Sequence, residues 1–457
     1  MTRMKGKGPC PLPFDLLKIR RHSMSQATLD KIKNIGWRVA LAGLAINLAL
    51  GVLYTWSRFT DAIEVMWGWS RTDAGQPYSW AVLFFALATI PGGRMQDKFG
   101  PRITASIGGI LVGVGMLICA FANQNYTAMN IGFGVIAGIG IGLAYASATP
   151  PAVKWFTSNK IGLIAGIVVS GFGLASAYIA PLIEKVLLPH VTVFNLDPIS
   201  SALFVLGVFF LIVIVGFAQL LKTPPAGYKP TENAASIKAK KANIHGQELG
   251  WTAMIKTPSF WLLWLMYVCG AGVGLMMISQ IYPIAKGPFE KAGLEQIAFL
   301  SLVILALGNG GGRVLAGYIS DKIGRTVTML LVFAIQGLAL VTMLLMGTSH
   351  IIPLYFVLFV IFGCNYGACL SVFPAACKDF FGIKNFGLNY GILFTAWGVG
   401  GCILAKAAAK TITLHPDGSK DFTTAFIMGI AALALAVVLT FVTKAPRNKN
   451  ATVVENN

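Results

Sequence analysis

The sequence predicts an all-α membrane protein with twelve transmembrane helices in two six-helix bundles related by a pseudo-two-fold repeat. Three observations lead there. The 457 residues are 56% hydrophobic and only 12% charged, about half the charged share of an ordinary soluble chain. Apolar runs long enough to cross a hydrocarbon core of about 30 Å recur from end to end. One loop motif occurs twice, once in each half of the chain.

In chain order, the apolar runs of the first half fall near 37–59, 76–95, 103–122, 127–150, 161–183 and 200–221. Those of the second half fall near 257–283, 296–319, 327–347, 351–376, 386–409 and 424–443. Residues 1–36 form a basic N-terminal tail without the apolar centre and cleavage site of a secretory signal, so the first span, from Trp37, is expected to act as an uncleaved insertion signal. Residues 222–256, rich in Lys, Ala and Pro, are the one long polar interruption. They divide an N-terminal bundle, 37–221, from a C-terminal bundle, 257–445, and 446–457 form a second tail. Gly134, Gly138 and Gly142 make a small-residue ridge in the fourth span, and "GIVVSGFGLASA" continues that theme in the fifth.

The formal charge of +19 reads as topology. With both termini cytoplasmic, nearly all of the basic surplus falls on the cytoplasmic tails and loops, the positive-inside pattern. This predicts an integral protein of the cell (inner) membrane, touching anionic membrane lipids and not nucleic acid. Six of the seven cysteines, Cys119, Cys269, Cys364, Cys369, Cys377 and Cys402, lie in or at spans, and Cys10 lies in the tail. None has metal-ligand spacing beside histidine, so reduced, packing cysteines are expected. With no nucleotide loop, triad or metal set, neither an enzyme nor a cofactor is expected, and a monomer suffices.

The two halves share one register. "GGRMQDKFGPR" follows the second span and "AGYISDKIGRT" the eighth, and aligning Asp97 with Asp321 sets an offset of 224 residues. A second pair of loops, "AVKWFTSNKIG" and "ACKDFFGIKNFG", matches Lys154 with Lys378 and Lys160 with Lys384 at the same offset. A parallel repeat of six-helix halves resembles the major facilitator arrangement, whose substrate site lies between the halves near mid-membrane. Asp97, Arg102, Asp321 and Arg325 are the expected gating residues, able to latch the cytoplasmic ends in one state and release them in the other.

One charge lies deep. Arg313 sits eight residues before Asp321, about 12 Å into its helix and near mid-depth. A cation there is costly and usually faces a substrate path, unless it snorkels to the interface or bonds backbone carbonyls. Its register partner in the first half is Thr89, so the charge belongs to one half only. Asn309 lies one turn earlier on the same face, and Gly310, Gly311 and Gly312 are expected to clear space for a carboxylate on the planar guanidinium. No Asp or Glu lies deep in a span, which leaves the substrate as counter-ion.

"NGGGRVLAGYISDKIGR", with "GVLYTWS" in the first span, "GLAYASA" in the fourth and "NYGILFTAWG" in the eleventh, resembles the oxalate/formate antiporter family of the major facilitator superfamily. The resemblance extends over roughly residues 37–445, and the family is related to the monocarboxylate transporters. It implies a carrier of small organic anions bound to an arginine of the eighth helix, which Arg313 matches. It also implies aromatic neighbours at Tyr54, Trp56, Tyr145, Tyr366 and Phe394, although Leu370 stands where the oxalate carrier has an aromatic. The second cation of the oxalate carrier, a lysine in the eleventh helix, is replaced by Trp397. Lys406, nine residues on toward the outer end, is expected to be a snorkelling or vestibule lysine. One deep cation matches one carboxylate, so lactate, pyruvate, formate or glycolate is favoured over oxalate. Asn309 stands where proton-linked relatives have an acid, and no histidine falls within a span. Exchange and proton symport stay open, as do a dicarboxylate antiporter and a non-transporting sensor.

Overall fold

The computed structural model describes residues 34–225, 227, 228, 230, 248–298, 300–347, 351–411, 413, 414 and 420–446. The N-terminal tail before Asn34 with its Cys10, the middle of the polar interruption, the C-terminal tail after Pro446 and the side chain of Lys406 lie outside these residues.

Among the described residues, twelve long helices follow one another. The first six are α1 (Gly36–Trp67), α2 (Arg71–Phe99), α3 (Pro101–Ala120), α4 (Tyr126–Val153), α5 (Ile161–His190) and α6 (Pro198–Ala218). The second six are α7 (Pro258–Lys291), α8 (Leu300–Ile323), α9 (Arg325–Met346), α10 (Ile352–Phe381), α11 (Phe386–Leu404) and α12 (Thr423–Val442). Eleven of them are long and apolar enough to cross a membrane by length and composition. The remaining helix, α2, has 29 residues, about 44 Å of helix, with polar ends that dilute its apolar middle. Between α11 and α12, Thr413–Leu414 pairs antiparallel with Lys420–Asp421, a two-residue ribbon that the all-helical expectation did not contain.

The repeat is visible in backbone detail. Gly100, at the turn from α2 to α3, has φ +92°, and Gly324, between α8 and α9, has φ +93°. Both positions need the left-handed region that glycine enters freely, and they are 224 residues apart. The halves touch along two pseudo-equivalent pairs, α2 with α11 and α5 with α8. Here glycines let backbones meet: a Cβ on Gly93 would strike the carbonyl of Gly387, and one on Gly317 would strike that of Gly162. Small-residue contacts of this kind drive helix association in lipid, where burial of apolar surface contributes little.

Several helices depart from α geometry in mid-course. α1 tightens to a 3₁₀ turn at Gly51–Thr55. α4, α5 and α11 widen to π turns at Asn130–Ala137, Ile183–Leu187 and Gly401–Ala405. Such insertions re-aim the side chains of an otherwise regular helix and recur at functional sites.

Candidate functional site

Arg313 lies on α8 with none of its surface exposed. Helix α5 comes close enough to enclose it because two of its residues lack side chains. A Cβ on Gly166 would collide with the Arg313 carbonyl, and one on Gly173 would lie 3.0 Å from the Asn309 side chain. On the other flank, a Cβ on Gly367 of α10 would press the Arg313 stem at 3.1 Å. The guanidinium is held from three directions. Its Nε donates to Asn309 Oδ1 at 3.0 Å, its Nη1 donates to the Val169 carbonyl of α5, and the Phe172 ring centre lies 6.0 Å from Cζ. Nη2 has no hydrogen-bond partner within the protein.

Among the described residues no carboxylate pairs with Arg313. It does not snorkel, and one backbone carbonyl takes part of its bonding. The three glycines before it do a different job from the one expected. A Cβ on Gly310 would meet Leu174 and one on Gly312 the backbone of Cys364, while Gly311 faces open space. Gly310 and Gly312 set the approach of α5 and α10, and Gly367 in turn lets α10 lie against the Asn309 carbonyl and the Arg313 stem.

The 3₁₀ turn of α1 presents Tyr54 toward the second half. Its hydroxyl shares a 2.6 Å hydrogen bond with that of Tyr366 on α10. Trp397 Nε1 on α11 donates to the same Tyr366 oxygen at 2.9 Å. Tyr54 also meets Phe172 edge-on at 5.0 Å. Phe85 of α2 lies at the centre of the remaining rings, 5.3 Å from Tyr145, 5.8 Å from Phe172, 5.4 Å from Phe394 and 5.3 Å from Trp397. Phe394 and Trp397 stack at 5.2 Å.

The structure therefore gathers Arg313, Asn309, Tyr54, Tyr145, Tyr366, Phe394 and Trp397 into one interior cluster between the halves. Trp56 is elsewhere. Its indole N–H donates to the Ala74 carbonyl at 2.9 Å and its ring stacks on Phe133 at 3.8 Å, inside the first bundle. Leu370 is buried. Sequence reasoning missed Phe172 and Phe85. Phe172 had a signal, since it stands between Gly171 and Gly173, where α5 must run close to a neighbour. Phe85 sits in a featureless apolar run and had none.

At the D-K-x-G-R end the halves are latched, unequally. Asp321 accepts the backbone N–H groups of Gly162 and Leu163, both at 2.8 Å, across the interface. Arg325 pairs with Asp321 at 2.7 Å and with Asp379 at 2.8 Å. The equivalent Asp97 accepts one N–H, from Leu388 at 3.1 Å, and has Lys154 at 3.9 Å. Burial pushes the Lys154 ammonium down from its ordinary range, against the pull of Asp97 and Glu248. Arg102 is not on this latch, because its Nε donates to the Leu221 carbonyl at 3.0 Å. The second acid on Arg325 also belongs to one half only, since the register partner of Asp379 in the first half is Trp155.

Comparison with known proteins agrees with this architecture. The family model of the Major Facilitator Superfamily matches residues 35–405. The oxalate:formate antiporter of Oxalobacter formigenes is 28% identical over 361 residues, 78% of this chain and 80% of that protein. Apicoplast pyruvate carrier 1 of Toxoplasma gondii is 27% identical over 374 residues, covering 70% of this chain and 67% of the carrier. Among solved structures, the proton:xylose symporter XylE bound to 6-bromo-6-deoxy-D-glucose superposes with a TM-score of 0.66 at 15% identity, over 90% of this chain and 96% of that one; that likeness is one of fold. The twelve-helix repeat, the interior site between its halves and the family match converge on one assignment: the chain belongs to the Major Facilitator Superfamily.

Proposed function

We propose that the protein is a secondary transporter of small organic anions, a monocarboxylate of the lactate, pyruvate or formate class, bound to Arg313 and moved by alternating access. The observation that carries this reading is the state of Arg313: wholly buried, free of any carboxylate partner among the described residues, and with its Nη2 amino group lacking a hydrogen bond of good geometry within the protein. Trp397, at the position of the oxalate carrier's second cation, is a neutral side chain whose indole N–H is given to the Tyr366 hydroxyl. The kinship with an oxalate:formate antiporter and a pyruvate carrier supports the substrate class.

The cycle follows from the charge. With the site empty, closing both ends leaves a desolvated cation, and that raises the barrier to switching. A bound monoanion neutralises the pair, and the halves can then rock. Exchange is accordingly faster than net flux. Asn309, the side chain bonded to Nε, cannot titrate, so exchange rather than proton symport is the favoured mode. The positive-inside reading places both termini in the cytoplasm and the D-K-x-G-R latch on that face.

The test is uptake of labelled lactate into proteoliposomes, empty or preloaded with unlabelled lactate, at equal pH on both sides. Uptake confined to preloaded vesicles supports exchange on a one-cation site. Uptake by both, driven by outside acid, would replace exchange with proton symport. Labelled oxalate taken up in place of lactate would refute the one-cation assignment.

A further inference from the structure

The polar interruption between the halves is docked at both of its described ends, and the transport cycle above uses neither docking. At its start, the Leu221 carbonyl accepts from Arg102 Nε at 3.0 Å and the Lys222 carbonyl from Trp155 Nε1 at 2.7 Å. The Tyr228 ring then meets the Trp155 indole edge-on at 5.0 Å. At the other end, Glu248 accepts the backbone N–H groups of Ile383 and Lys384 at 3.1 and 2.9 Å. Successive N–H groups in a turn make a concavity that suits an anion. The Leu249 N–H donates to the Phe381 carbonyl at 3.0 Å, and the Leu249 carbonyl accepts from Asn389 Nδ2 at 3.0 Å and Asn385 Nδ2 at 3.4 Å. Glycine is required between these contacts, because Gly382 has φ +88° and a Cβ there would lie 2.5 Å from the Glu248 carboxylate.

The two anchors fall on matching places. Trp155 lies in the loop from α4 to α5 and the partners of Glu248 in that from α10 to α11, the two loops that share the 224-residue offset. Position 155 therefore seats the polar segment in the first half, where its register partner Asp379 pairs with Arg325 in the second. That leaves the Asp97 latch with one N–H, from Leu388, and a lysine at 3.9 Å. The far anchor offsets this. Asn389, the residue after Leu388, is wholly buried and bonds the Leu249 carbonyl. The first turn of α11 is thus gripped by Asp97 of the first half on one side and by the polar segment on the other. Lys154, the lysine beside Asp97, also lies in the field of Glu248.

We infer that the polar segment is a strap and Glu248 its positioning residue: by seating the turn before α11 it aims the Leu388 N–H at Asp97 and keeps the α2–α11 end closed, a support that the stronger latch takes from Asp379. The inference holds whatever the cargo, so its test needs none and stands apart from the carboxylate reading.

The experiment is alkylation of purified full-length protein carrying a cysteine placed at Leu388, or at Leu163 on the other latch as control, with Glu248 intact, Glu248→Gln or Glu248→Ala. Labelling is read by mass spectrometry of the peptide that holds the placed cysteine. Glu248 is exposed, so both variants should fold and melt close to the parent. Labelling of Leu388→Cys should quicken about two- to fivefold with Glu248→Ala, the scale of an exposed charged contact. It should quicken less with Glu248→Gln, whose amide oxygen can still accept an N–H, and labelling of Leu163→Cys should stay at the parent rate. An unchanged rate at Leu388 in both variants overturns the strap. So does an equal rise at the two positions, or a large drop in melting temperature, since either would mean that Glu248 supports the fold at large and not this end.

Discussion

Replacing Arg313 by glutamine removes the charge and keeps a polar amide near Asn309. A carboxylate about 4 Å from a guanidinium gains about 4 kcal/mol at the effective dielectric of roughly 20 that suits protein sites. At about 1.4 kcal/mol per tenfold, Arg313→Gln should weaken substrate binding about a thousandfold. The same change should stabilise the empty protein. Arg313 is wholly buried, and its compensation is one amide oxygen, one carbonyl and the face of Phe172. A cation–π contact contributes about 0.5–2 kcal/mol, against a desolvation penalty of several kcal/mol. The assay is thermal melting of detergent-purified protein with and without lactate, beside exchange in proteoliposomes. Ligand at a hundred times its Kd stabilises the parent by about 2.7 kcal/mol, while at the same concentration the variant should gain under about 0.1 kcal/mol. A variant that folds, melts higher when empty and no longer responds to lactate supports the reasoning. Exchange at the parent's affinity would falsify it.

Three further outcomes follow from named contacts. Asn309→Asp should give Arg313 a permanent counter-ion at the position where Nε now meets an amide oxygen at 3.0 Å; lactate affinity should fall about tenfold or more at neutral pH and recover in acid, as read by exchange across a pH series. Gly166→Ala should push α5 off the Arg313 carbonyl and slow exchange severely, whereas Gly311→Ala, whose Cβ meets nothing within 4 Å, should leave the rate near that of the parent. Asp321→Asn should expose its end of the molecule more than Asp97→Asn, because Asp321 accepts two N–H groups and pairs with Arg325 while Asp97 accepts one and has a lysine at 3.9 Å; alkylation of a cysteine placed at Leu163 or Leu388 reports the opening, and equal labelling in the two variants would contradict it.

The sequence by itself determined the long helices, the repeat and the depth of Arg313, because these rest on properties read along the chain. A run of about 20 apolar residues must span or be buried, since its backbone cannot be left unpaired in lipid. Two loops on one offset imply two like halves, and the paired φ values of Gly100 and Gly324 bear that out. Distance to the next charged loop fixes how deep a cation lies. What the sequence could not determine is which way each helix turns about its axis. A span that is apolar on every side carries no stripe to mark its inner face, so Tyr54 and Trp56 were equal candidates until the 3₁₀ turn directed one into the site and the other against Phe133. The same gap hid Phe85 and Phe172, and it assigned to Gly310 and Gly312 an opening at the guanidinium where they instead admit Leu174 and the Cys364 backbone. Tertiary structure decided those matters, since side-chain direction in lipid is set by which backbones can approach, and that depends on small residues matched across different helices.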